Sequence, residues 1–186
     1  MLTSRRRQFL YEEIQEIAEE IKVYKISNSE INESMRRGIS INELEAANFA
    51  RLIDSLDGEP DKIFLDSPDV ISERFGVRIS MFSKRKLAVQ GVAKRSPGIK
   101  VIAEHKADSR YPVVSCESII AKTERDREIE RICDEAGVEI GSGYPSDSYT
   151  VDAIRQSLGS KKLGPYLREY WSTMKSIRQL KMSDFG

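Results

Sequence analysis

The chain has 186 residues, 39% of them apolar and 32% charged, and 30 basic side chains balance 30 acidic ones. That length supports one hydrophobic core, and that composition excludes a disordered chain and a globally basic nucleic-acid binder. No apolar run approaches the ~18 residues of a membrane span and no stretch reads as a signal peptide, so a cytoplasmic location with no membrane partner is expected.

In chain order, Thr3 caps a helix expected to run to about Glu20, with Phe9, Leu10, Ile14, Ile17, Ala18 and Ile21 on one stripe. Ile21–Ile26 alternates in strand fashion. Ile41–Leu56 reads as helix, with Ser40 and Glu43 forming a capping box and Leu44, Ala47, Phe49, Leu52, Ile53 and Leu56 as apolar positions. Lys62–Leu65 is a short apolar strand that stops at Asp66, and residues 71–95 are partly helical. Ile99–Ala103 is a further strand, and a long helix follows over about Ser115–Ala136, then the turn-rich GSGYPSD. Two more helices are expected near Tyr149–Leu158 and Pro165–Ile177. Strands alternating with helices give an α/β fold with a largely parallel sheet.

Cys116 and Cys133 read as idle thiols rather than a disulfide. One histidine, His105, and no C-x-x-C pair leave carboxylates and water to hold any metal, which favours Mg2+ or Mn2+. Asp66 follows one strand and Asp108 follows the next, so both sit where parallel sheets gather functional groups. Paired carboxylates there can bridge hard cations that clamp a phosphodiester. By spacing alone, an aspartate after a strand is more often a turn former or helix cap. Asp69 and Glu104 are the nearest competitors for metal. Between Lys161 and Lys181, six basic residues face one acidic residue, Glu169, with Tyr166, Tyr170 and Trp171 interleaved. That suits a phosphate backbone or an ordinary solvated helix face.

IFLDSPD, VIAEHKADSRYPVVSCESIIAKTERDREIE and GSGYPSD, in that order, resemble archaeal-type ribonuclease HII from Leu2 to about Met174. The resemblance implies a ribonuclease H-like mixed sheet with flanking helices, its first strands missing, plus a C-terminal helical extension. It implies residues 1–146 as the truncated ribonuclease H-like domain, 147–178 as the extension and 179–186 as a tail. It also implies an endoribonuclease of replication and repair that cuts RNA–DNA hybrid duplexes and DNA with embedded ribonucleotides by two-metal hydrolysis. Asp66 and Asp108 match catalytic, metal-binding carboxylates, and Tyr144 matches the tyrosine that stacks on the sugar at the ribo-to-deoxyribonucleotide junction. Lys122 and Ser118 stand one turn apart on the helix after the metal site, facing either a backbone phosphate or solvent. Ser115 lies on the same helix. His105 lies near the scissile region or makes a structural hydrogen bond, and Arg125-Asp126-Arg127-Glu128 is expected to form surface ion pairs.

The family also begins with a strand carrying adjacent Asp and Glu and then a Gly-Arg-Gly turn, and neither occurs in this sequence. The expectation is therefore an N-terminally truncated chain, monomeric, inactive or weakly active and poorly stable alone. The alternative is a non-catalytic nucleic-acid- or clamp-binding remnant. Gln179, Met182 and Phe185 resemble a degenerate sliding-clamp-binding peptide, or else end the chain as a disordered terminus.

Overall fold

The computed structural model describes residues 2–92, 97–157, 162–171 and 174. They fall into two compact units. One comprises residues 1–25 and 39–123, the other residues 26–38 and 124–186.

The first unit opens with α1 (Ser4–Ile17), whose first turn is capped by the Thr3 hydroxyl accepting from Arg6 N–H. Its inward positions are Tyr11 and Ile14. The expected stripe is thus displaced, with Phe9 48% and Ile17 78% exposed. Residues 21–26 form no strand, because alternation alone provides no neighbour to pair with. The α3 helix (Ile41–Asp54) starts where expected, at Ser40. There the Ser40 hydroxyl accepts from Glu43 N–H at 3.2 Å, without the reciprocal half of a capping box. Its buried face is built from small residues, Ala46 and Ala50, with Ile53. This lets it lie close to α4 (Ser72–Phe82), where Phe49 meets Phe75 edge to face at 5.6 Å.

Three strands form the sheet: β1 (Lys62–Asp66), β2 (Leu87–Val89) and β3 (Ile99–Glu104), in the order β1-β3-β2. Both pairings are parallel, so the expected mixed sheet is represented among the described residues by parallel strands only. The α4 helix packs on the sheet at Gly76, where a Cβ would stand 2.9 Å from Val89 Cγ1. Phe75, Ile79 and Val101 fill the centre of this core. The register sets Asp66 abreast of Glu104, so β1 and β3 end at one level.

The second unit takes the C-terminal part of α5 (Pro112–Ala136), then α6 (Ser148–Ser157) and a 3-10 turn at Gly164–Tyr166. It also includes α2 (Asn28–Arg36), which has the complete capping box, Ser27 with Glu30. Asn28 and Asn32 of α2 donate to Tyr166 O at 2.7 Å and Leu167 O at 2.9 Å. Ile132, Ala136, Ile140, Ala153 and Leu163 form its core. The helix expected over 165–177 is not continuous: residues 167–171 are coil and turn. Gly164-Pro165 opens only a short 3-10 turn, and the carbonyls of Tyr166 and Leu167 are taken by the two asparagines. No helix among the described residues is long and apolar enough to cross a membrane.

Candidate active site

The β3 strand ends at Glu104, and the chain turns through Lys106, whose φ of 53° is left-handed. A non-glycine residue in that region costs of order 1 kcal/mol, so the turn is held by what surrounds it. It leads into a 3-10 turn, Ala107–Ser109, that carries Asp108. Two bonds fix this turn. The buried Ala107 donates its N–H to Asp66 Oδ1 at 3.2 Å, and the Ser115 hydroxyl donates to the carbonyl of Asp108. The side chain of Asp66 is therefore bonded to the residue immediately before Asp108. Both aspartates sit at the carboxyl ends of adjacent parallel strands.

A third carboxylate faces them. Glu117, on the first turns of α5, has its carboxyl raised above its usual value by partial loss of hydration, then by the negative charge of Asp66. Lys122 pulls it back, and Asp108 adds a smaller push upward. The residue keeps an exposed surface, so solvent screens part of this repulsion. Nothing in the sequence singled out Glu117. Its position emerges only once the helix phase after Pro112 is known.

The nearest rival acids are engaged elsewhere. Asp69 accepts from Arg78 Nη1 at 2.9 Å and from Asn42 Nδ2 at 2.6 Å. Glu104 is bonded to Arg110 and accepts from the Tyr111 hydroxyl at 3.1 Å. Nε2 of His105 lies 2.6 Å from the carbonyl of Asp69. Beside Asp108 opens a shallow pocket of ≈ 200 Å³, lined by Leu2, Arg7, Asp108, Ser115, Ser118, Ile119 and Lys122. In it Lys122 donates to Ser118 Oγ at 2.8 Å. Cys116 and Cys133 are free thiols.

The combined motifs, the strand order and a chain-length similarity decide the family. The ribonuclease HII family model matches residues 1–174. The chain belongs to the ribonuclease HII family. Ribonuclease HII of Archaeoglobus fulgidus is 36% identical over 184 residues, covering 99% of this chain and 80% of the relative. Ribonuclease HII of Pyrococcus abyssi is 38% identical over 179 residues, covering 96% of this chain and 73% of the relative. The crystal structure of the ribonuclease H2 from Pyrococcus horikoshii superimposes with a TM-score of 0.77 at 38% identity. That alignment covers 97% of this chain and 78% of the other. The family is one of hydrolases, endonucleases by type. The α/β sheet with flanking helices expected from the sequence agrees with this neighbour.

Tyr144 belongs to the second unit, on a loop after α5. The loop is organised by Asp147, whose carboxylate accepts from Ser142 N–H at 2.8 Å, Ser142 Oγ at 2.7 Å and Tyr149 N–H at 3.0 Å. Those donors, the Ser142 backbone N–H foremost, hold the Asp147 carboxyl down at about 2. Thr150 Oγ1 adds a bond to Ile140 O at 2.7 Å. Arg125 forms an expected ion pair, with Asp126 at 3.9 Å, and also engages this loop, its guanidinium lying 3.6 Å from the Tyr144 ring centroid. Arg127 also forms the expected kind of pair, with Glu124 at 2.9 Å. Gln179, Met182 and Phe185 lie outside the described residues.

The donors gathered at Asp66 and Asp108 are hard carboxylate oxygens, the right chemistry for Mg2+ or Mn2+. Their number is small. Among the described residues, no group of three or more His, Cys, Asp and Glu side chains is arranged to hold a metal ion.

Proposed function

We propose that this chain is an endoribonuclease that cleaves the RNA strand of RNA–DNA hybrids, and DNA at single embedded ribonucleotides, in replication and repair. The observation that supports this reading is the bond from Ala107 N–H to Asp66 Oδ1 at 3.2 Å, which ties the carboxylate at the end of β1 to the residue before Asp108. Membership of a divalent-metal-dependent family that acts on RNA–DNA hybrids supports it.

Asp66 and Asp108 would hold Mg2+ or Mn2+, with water completing the shell. Such a cation, when bound, supplies charge stabilisation at the phosphodiester and an acidified water. The protein's own part is placement. Ala107 N–H orients Asp66, and Ser115 pins the turn that carries Asp108. Lys122, with Ser118, neutralises a backbone phosphate beside Asp108, and His105 lies near the scissile position. Tyr144 stacks on the sugar at the ribo-to-deoxyribonucleotide junction, where the 2′-hydroxyl distinguishes RNA from DNA. Two carboxylates fall short of two near-octahedral shells, so cleavage by the 186-residue chain is weak and needs high metal. We further propose a cytoplasmic monomer, a C-terminal extension over 147–178 and a tail whose Gln179, Met182 and Phe185 dock on a sliding clamp.

A second reading, a non-catalytic binding module derived from the enzyme, is favoured by the lack of a three-ligand cluster among the described residues. One experiment separates the two. A DNA duplex carrying one ribonucleotide is incubated with the chain in millimolar Mn2+, alongside Asp66→Asn and Asp108→Asn. Slow cleavage at the ribonucleotide, lost in both variants, supports the enzyme. Tight binding with no cleavage supports the module. Neither binding nor cleavage overturns both.

A further inference from the structure

Within the second unit, the surroundings of Arg125 point to a task of its own. Its guanidinium carbon lies 3.6 Å from the centroid of the Tyr144 ring, so the cation covers one face of that ring. The same side chain donates from Nη2 to the carbonyl of Ser142 at 2.9 Å, two residues before the tyrosine. It thus grips the loop by backbone and by ring together. Arg125 is itself only partly exposed, at 31% of its side-chain surface, whereas Tyr144 keeps 42% of its surface in solvent. The ring is held from one side and keeps part of its surface in solvent.

The loop is shaped to admit that grip. Gly143 has φ +69°, and a Cβ there would lie 2.6 Å from Ile129 Cδ1 and 3.1 Å from Arg125 Nη2. A side chain at position 143 would be strained at that φ and would crowd both Ile129 and the guanidinium. Gly143 N–H is in turn fixed by Thr150 Oγ1 at 3.0 Å. Glycine, hydroxyl and guanidinium converge on one orientation of one aromatic ring. Ordering an exposed tyrosine costs side-chain entropy, and a stacked cation offsets a loss of that kind.

We propose that Arg125 is the positioning residue that presets the plane of Tyr144, leaving its free face for the sugar at the ribo-to-deoxyribonucleotide junction. This rests on the reading of Tyr144 given above, and two measurements keep the two apart.

The first needs no substrate. With tyrosine rings isotopically labelled, the Tyr144 resonance is assigned by its loss in Tyr144→Phe. Arg125→Ala moves that resonance more than any other tyrosine of the chain, and Arg125→Lys moves it less than Arg125→Ala does. An unmoved ring overturns the proposal whatever the substrate. The second measures fluorescence anisotropy with a DNA duplex carrying one ribonucleotide and with its all-deoxyribose twin, without divalent metal. Arg125→Ala lowers the preference for the ribonucleotide duplex about threefold to tenfold, as Tyr144→Ala does, and the double variant loses no more than either. Arg125→Lys, which keeps the charge without the fork, retains part of the preference. Additive losses, or full preference in Arg125→Ala, overturn the proposal. If the ring moves but Tyr144→Ala keeps full preference, the role given to Tyr144 fails and this proposal falls with it.

Discussion

Asp66 ends β1 and Asp69 follows three residues later, and their carboxylates face different neighbours. Asp69, with only 11% of its side chain exposed, is neutralised by Arg78 at 2.9 Å and bonded by Asn42. Asp66 is exposed and accepts from a backbone N–H, that of Ala107. A carboxylate whose charge is already matched gains little from a cation, whereas one beside two further acids gains much. Removing one partner of a half-buried pair costs the desolvation of the other, about 1–3 kcal/mol. Arg78→Ala is therefore expected to lower urea stability by about that amount while leaving Mn2+ affinity, read by titration calorimetry, unchanged. Asp66→Asn is expected to do the reverse, keeping stability and weakening Mn2+ binding by at least about tenfold. Exchange of the two outcomes would mean that Asp69 is the ligand.

At the scale of elements, the GSGYPSD loop stands on one carboxylate. Asp147 has its carboxyl depressed to about 2, against about 3.9 in an unfolded chain. A depressed carboxyl stabilises the fold fully above the unfolded value, and the stabilisation is lost as pH falls through the folded one. The urea-stability gap between the native chain and Asp147→Asn should thus be constant above about pH 4 and close towards pH 2. A gap that persists unchanged at pH 2 would show that the amide fails for some reason other than charge. The contact of α4 with the sheet gives a prediction of sign. Alanine in a helix interior is favoured over glycine by about 1 kcal/mol, but at Gly76 its Cβ would stand 2.9 Å from Val89 Cγ1. Overpacking costs about 1–3 kcal/mol, and the β-branched Val89 has few rotamers to retreat into. Gly76→Ala is expected to lose about 1 kcal/mol in urea unfolding, and a gain would show that Val89 yields freely.

These elements also show how far the sequence could be read. Caps and apolar runs located α1, α3, β1, β3 and α5, because those signals are local. The α2 helix was missed although Ser27 and Glu30 form a complete capping box, since only Ile31 and Ser34 of its short span are buried. The three-residue β2 offers too little pattern to see, and the alternation of 21–26 imitates a strand that has no partner. The places of Asp66 at the end of β1 and of Asp108 just after β3 were legible, because each follows a short apolar run. Glu117 and Arg125 were not, because each is defined by a neighbour far away in the chain: Asp66 for the one, Tyr144 for the other.

For the whole molecule, the balance of 30 basic and 30 acidic side chains removes long-range attraction to a polyanion. Any affinity for a duplex must then come from a few cations placed at the contact. Lys122, exposed and lining the pocket beside Asp108, is the cation proposed for that contact. Each phosphate neutralised adds about 0.9 to the magnitude of the slope of log affinity against log salt. Lys122→Ala is accordingly expected to reduce that slope by about 0.9 and to weaken hybrid and all-DNA duplexes alike, since a phosphate carries no sugar identity. Tyr144→Ala is expected to leave the slope intact and change only the preference between the two duplexes, since its ring adds no charge. Anisotropy titrations at several salt concentrations measure both quantities at once. A slope that Lys122→Ala leaves unchanged would remove this lysine from the duplex contact, and with it the assignment of the pocket to a phosphate.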